Sequence, residues 1–187
     1  MDRRSRTWRK FDFQSRKFKE LMLYFSQRGL DEELVIGSTK LNKLLFFTDF
    51  RAFAELGSPV TGATYQKLQW GPAARQLLPM REEMFRDGEV RFSDRGDDDL
   101  SDVLEPISVP DPTVLSDDER RIADEVFEEL RPYNATATSD YSHLKSAGWK
   151  VVELHADIPY ESAFVVTDSP PEEAIELGRE LASRHNW

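Results

Sequence analysis

The chain has 187 residues, 39% of them hydrophobic, enough to bury a core and to favour one domain with decorated ends. Its 25 basic and 35 acidic residues leave a formal charge of -10, which argues against a surface that grips nucleic acid or anionic membrane throughout and leaves a basic partner open. Cysteine is absent, so disulfides, thiolate nucleophiles and cysteine metal sites are excluded; with no signal-like apolar run and no span of about 18 apolar residues, the sequence reads as soluble and cytoplasmic, away from membranes.

Met1 to Lys19 hold eight basic side chains against Asp2 and Asp12, a local +6. Residues 1–14 read as a basic leader, with three uses open: a solvated arm, contact with the acidic body, or contact with the phosphates of operator DNA. Phe18, Leu21, Met22 and Phe25 recur at helical spacing and predict a first helix from Ser15 to Arg28, ended by Gly29.

A second helix is expected from Thr39 to about Leu56, capped by Ser38 or Thr39 and stopped by the run Leu56-Gly57-Ser58-Pro59. The two helices suit an antiparallel pair. Apolar residues spread around most of the second helix: Leu41, Leu44 and Leu45 with Thr48 form one stripe, and Phe46, Phe47, Phe50 and Phe53 widen it. A surface helix needs less than that, so this one either sits mid-fold or keeps part of its surface for a partner. Lys40 and Lys43 read as stems lying along its edge with their charges in water.

The segment from Thr64 to Trp70 reads as a short strand with Leu68 and Trp70 on one face and Tyr65 and Lys67 on the other. Pro72 suits the first turn of a following helix, which Pro79 is expected to kink or divide. Val90 and Phe92 alternate with charged residues, and Leu104, Ile107 and Val109 offer a partner strand, with 93–99 as an acidic hairpin tip. That tip lacks the ligand order of an EF-hand.

Ser116 and Glu119 form a capping box before a helix with Ile122, Val126 and Leu130 inward, closed by Pro132. Thr138 or Ser139 is placed to cap a further short helix, with Tyr141, Leu144 and Trp149 as packing residues. A final strand through Phe164 to Val166 and a last helix after Ser169 complete the pattern. The fold class is α+β: a mainly helical single domain with a small antiparallel sheet.

Signals for chemistry are sparse. His143, His155 and His185 show no dense metal spacing, Gly-x-Ser-x-Gly is absent, and the run from Gly57 to Gly62 has no phosphate-loop lysine. His143, flanked by Tyr141 and Trp149, reads first as a structurally satisfied ring, then as a partner contact, then as a base lacking an aligned nucleophile. No catalytic, cofactor-binding or metal residue is assigned, and no cofactor is expected.

Thr39, Leu41, Lys43, Leu44, Leu45, Phe46 and Phe47, followed by Trp70-Gly71-Pro72, and later Ser142, His143 and Trp149, occur in an order that resembles the Panacea, or SocA-like antitoxin, domain. The likeness runs from about Phe18 to Tyr160; on it the domain is placed at 15–160, with 161–187 as an extension carrying a strand and a helix. The resemblance implies protein binding: a bacterial antitoxin that neutralises a co-encoded protein toxin, or an adaptor that presents a toxin to a protease. It supplies no catalytic residue. Lys43, Phe46, Phe50, Phe53, Trp70, His143 and Trp149 are the expected partner-binding set, although all of them also suit a core. A DNA-associated or phage-related regulator using the leader is the alternative, and an enzyme centred on His143 ranks last.

Overall fold

The computed structural model describes residues 8–93 and 103–165. Its elements, in chain order, are α1 (Ser15–Asp31), α2 (Ser38–Leu56), β1 (Tyr65–Leu68), β2 (Gly71–Ala74), α3 (Leu77–Arg86), β3 (Val90–Ser93), β4 (Val103–Pro106), α4 (Asp117–Leu130), α5 (Ala135–Lys145), α6 (Ala147–Val151) and a closing 3-10 turn, Tyr160–Phe164. The fold is α+β and mainly helical. Among the described residues the antiparallel strands form two separate two-stranded ladders, β1 with β2 and β3 with β4.

The all-round apolar surface of α2 follows from its place. It packs against α1, α4, α5, β2 and the 3-10 turn, so almost every direction around it is protein. Leu41, Leu44, Leu45, Phe46, Phe50, Ala52 and Phe53 are all buried, joined by Phe18, Leu21, Met22 and Phe25 of α1 and by Ile122, Val126, Phe127 and Leu130 of α4. A single shared core of this kind is what a chain of this length can stabilise.

Ion pairs on the rim fix the approach of α1 to α4. Arg28 reaches Glu32 just past the end of α1 and Asp124 and Glu128 on α4, while its guanidinium lies 4.3 Å over the Phe127 ring. The Ser116–Glu119 capping box forms as the sequence predicts, with Glu119 N–H donating to Ser116 Oγ and Ser116 N–H to Glu119 Oε2.

Several local expectations are corrected. Gly29 does not end α1, which runs on to Asp31; Leu34 N–H donates to the Gly29 carbonyl at 2.7 Å, and Ile36 occupies the space a Cβ would need. Neither Ser38 nor Thr39 caps α2: Gly37 holds the cap position, and Ser38 Oγ instead accepts from Arg81. Pro72 opens no helix, because it is the second residue of β2. Pro79 is the third residue of an undivided α3, where a missing N–H breaks no intrahelical bond.

In the second ladder Phe92 faces Leu104 and Val90 faces Pro106; Ile107 and Val109 lie beyond the strand and are exposed. Asn134, not Thr138 or Ser139, caps α5, and Ser146 caps α6. Leu144 is exposed rather than packed. Phe164 closes the 3-10 turn and does not begin a strand. Most of the acidic hairpin tip, residues 1–7 of the leader and the helix expected after Ser169 lie outside the described residues.

From the rest of the leader Phe11 and Phe13 pack against the core, while Trp8, Arg9, Lys10, Asp12 and Gln14 stay exposed. Gln14 N–H donates to the Thr61 carbonyl at 2.8 Å, Arg9 N–H to Glu161 Oε1 at 2.9 Å, and the Phe11 ring meets Phe53 and Tyr160 edge-on.

Candidate functional site

The first hairpin turns over only two residues, Gln69 and Trp70, and Gly71 leaves the turn with φ at +100°, a conformation that a side chain would strain. A Cβ at Gly71 would also lie 2.8 Å from Lys43 Cε. The turn can therefore press against α2 only because this position is glycine.

Side chains from three helices hold the carbonyls of this turn. Trp149 Nε1 of α6 donates to Leu68 O at 3.0 Å, Ser139 Oγ of α5 to Trp70 O at 2.9 Å, and Lys43 Nζ of α2 to Pro72 O at 3.1 Å. The His143 ring makes a further hydrogen bond with the Gln69 backbone. It also stacks on Trp149, with ring centres 3.9 Å apart, and Lys67 Nζ sits 4.6 Å over that indole. With its carbonyls held, the turn is a rigid support. Trp70, at its tip, is 66% exposed beside a shallow cleft lined by Thr39, Thr136, Asp140 and His143.

Lys43 is 2% exposed, so the expectation of an edge lysine with its charge in water is wrong, and burial pulls its pKa down to about 7. Lys40 is buried too, donating to the carbonyls of Arg131 and Tyr133 just beyond α4, with burial again lowering its pKa. Both stems are taken inward because backbone carbonyls at loop ends need donors where water does not reach. Burial and the nearby Lys43 lower the pKa of His143, and its Nε2 is buried without a hydrogen-bond partner among the described residues.

Asp49 of α2 forms a second polar centre. It is fully buried and accepts from Thr61 N–H at 2.7 Å, from the Thr61 hydroxyl and from Tyr65 Oη at 2.8 Å. Tyr160 Oη lies 3.3 Å from the same carboxylate and donates to Ala63 O at 2.7 Å. Burial raises the Asp49 pKa to about 6 against these stabilising donors. Phe46 packs edge-on to Tyr65 at 5.3 Å, and Phe50 and Phe53 pack on Tyr160 at 4.8 and 5.7 Å.

The sequence profile of the antitoxin SocA-like Panacea domain matches residues 41–150, more than half of the chain. The chain belongs to this family. No curated protein and no solved structure matches it. The Panacea segment contains every residue of the turn clamp, from Lys43 to Trp149, whereas the Asp49 centre takes Tyr160 from outside it.

The expected partner-binding residues thus divide. Phe46, Phe50 and Phe53 are 2%, 6% and 3% exposed and form the apolar wall of the Asp49 centre, so they offer no open face in this conformation. Lys43, His143 and Trp149 converge beneath the first turn as supports, and Trp70 is the residue of the set that projects. Sequence reasoning missed Ser139 as a clamp, Thr61 as a donor to Asp49 and Tyr160 as a neighbour of its carboxylate; nothing local marks them, because each acts across at least 12 positions.

Proposed function

We propose that this protein is a cytoplasmic bacterial antitoxin that neutralises a co-encoded protein toxin by direct binding, without catalysis. One observation carries the reading: within a Panacea segment, a turn whose carbonyls are held from three helices projects an exposed tryptophan. A large aromatic on a preorganised support binds at low entropic cost and is the kind of residue that dominates interface energetics. The net charge of -10 favours a toxin whose contacted surface is basic, through faster association.

The test is co-expression of the neighbouring gene product with this protein, followed by co-purification. Rescue of growth with a stable complex that Trp70→Ala disrupts supports the reading. A toxic neighbour that neither binds nor is neutralised sinks it. Rescue without a complex moves the assignment to delivery of the toxin to a protease.

A further inference from the structure

A cavity of about 380 Å³ lies away from the turn clamp, between α1 and the loop that leads into α4. Glu20, Tyr24, Gln27, Arg28 and Asp31 line it from one face of α1, since they recur at helical spacing. Pro110, Asp111, Pro112 and Leu115 close it from the loop and Arg120 from α4.

The chemistry of this cavity turns on Glu20. It is only 7% exposed, and its carboxylate accepts a hydrogen bond from the Asp111 backbone. Among the described residues, no lysine or arginine forms an ion pair with it. The neighbouring cations are engaged elsewhere: Arg16 with Asp111 at 3.1 Å, Lys17 with Glu119 at 2.5 Å, Arg120 with Asp117 and the Pro112 carbonyl, and Arg28 with Glu32, Asp124 and Glu128. Asp31 accepts from Gln27 at 2.9 Å, and the Asp111 carboxylate from Thr113. A carboxylate withdrawn from water without a contacting counter-ion is costly; burial, helped by the nearby Asp111 charge, raises the Glu20 pKa to about 7, and Arg16, acting through space, offsets only part of it.

We propose that this cavity binds an alkylammonium group, the end of a lysine side chain or of a free diamine, with the Glu20 carboxylate as counter-ion and Tyr24, Pro110, Pro112 and Leu115 around the aliphatic stem. A guanidinium fits less well, because its fork asks for two carboxylate oxygens and the Asp111 N–H already draws on this carboxylate. Arg28 and Arg120 do not repel the ligand strongly, since each is neutralised by carboxylates outside the cavity. The proposal does not depend on the antitoxin reading.

The experiment uses the full chain at pH 8 and low salt, with N-acetyl-lysinamide and 1,4-diaminobutane as probes and N-acetyl-argininamide as comparison, read by NMR of the Leu115 methyls and the Glu20 carboxyl carbon. Expected are Leu115 shifts that saturate with an amine probe, a Glu20 titration midpoint that falls when the probe is present, and affinity weakened about tenfold or more by Glu20→Gln. A stronger response to the lysine probe points to a protein side chain as the natural occupant, and a stronger response to the diamine to a free amine. If neither amine perturbs Leu115, if the Glu20 midpoint stays in place, if Glu20→Gln binds equally well, or if the arginine probe binds as tightly, the proposal is overturned. The wild-type titration stands independently of the variant.

Discussion

Lys43 Nζ donates to the Pro72 carbonyl at 3.1 Å, joining the central helix to the turn that carries Trp70, with the ammonium almost wholly out of water. Burial holds its pKa near 7, below the 10.5 of a free lysine. A group whose folded pKa is depressed contributes stability that is present above the unfolded pKa and is lost as pH falls through the folded one. The window is therefore pH 10.5 down to 7. Across it the wild type should lose about 1.4 kcal/mol per pH unit relative to Lys43→Met, and below pH 7 the difference should level off. At high pH the variant is expected to be less stable by about 1 kcal/mol for the lost hydrogen bond. Denaturant midpoints of both proteins across this range check it; parallel curves would mean that Lys43 stays charged in the fold.

Asp49 titrates with the opposite consequence. Its folded pKa is raised to about 6 from 3.8, so the stability it contributes is fully present below pH 4 and lost as pH rises through 6. Asp49→Asn should gain on the wild type by about 3 kcal/mol between pH 4 and pH 7, because the amide carries no charge to bury. Asp49→Ala should destabilise by roughly 3 kcal/mol or more at every pH, since it strands the Thr61 N–H and the Tyr65 hydroxyl inside the core. Equal behaviour of the two variants would show that the carboxylate is not the acceptor holding these donors.

How much of this was legible in the sequence follows from the range of the interactions. Helix existence and the Ser116–Glu119 cap are set by neighbours within four positions, and these were readable from spacing. The fates of Lys40, Lys43 and Asp49 were not, because their partners lie 12 to 111 positions away and a local pattern assigns charged residues to water. Phe46, Phe50 and Phe53 were ambiguous for the same reason. The apolar width of α2 is equally consistent with a buried centre and an open face, and only the packing of five elements around it separates the two. Pro72 misled because a proline suits a helix start and a strand edge alike.

The leader can be divided by experiment. Phe11 lies edge-on to Phe53 and Tyr160, with ring centres 5.6 and 5.4 Å apart, so this part of the leader is anchored to the packed body through Phe11. Phe11→Ala is expected to cost about 2 kcal/mol in thermal or denaturant unfolding, less than a fully buried phenylalanine would. Deleting residues 1–7 alone keeps Phe11 and the Gln14 bond to Thr61 in the chain. That shorter deletion is the proper probe of operator binding: a gel shift that survives it removes Arg3, Arg4 and Arg6 as the DNA anchor.

Trp70 and Trp149 separate presentation from support. Trp70 is exposed and should contribute little to folding, so Trp70→Ala should change stability by less than about 0.5 kcal/mol while, on the proposed antitoxin reading, weakening the toxin complex by 2 kcal/mol or more, roughly thirtyfold. Trp149→Phe keeps a ring against His143 but removes the indole N–H from the Leu68 carbonyl. It should cost about 1 kcal/mol of stability, speed hydrogen exchange in the first hairpin, and weaken binding without touching the partner. If support acts through Trp70, the double variant will bind no worse than Trp70→Ala alone. Strictly additive losses in that cycle would instead place Trp149 in direct contact with the toxin, independent of the turn.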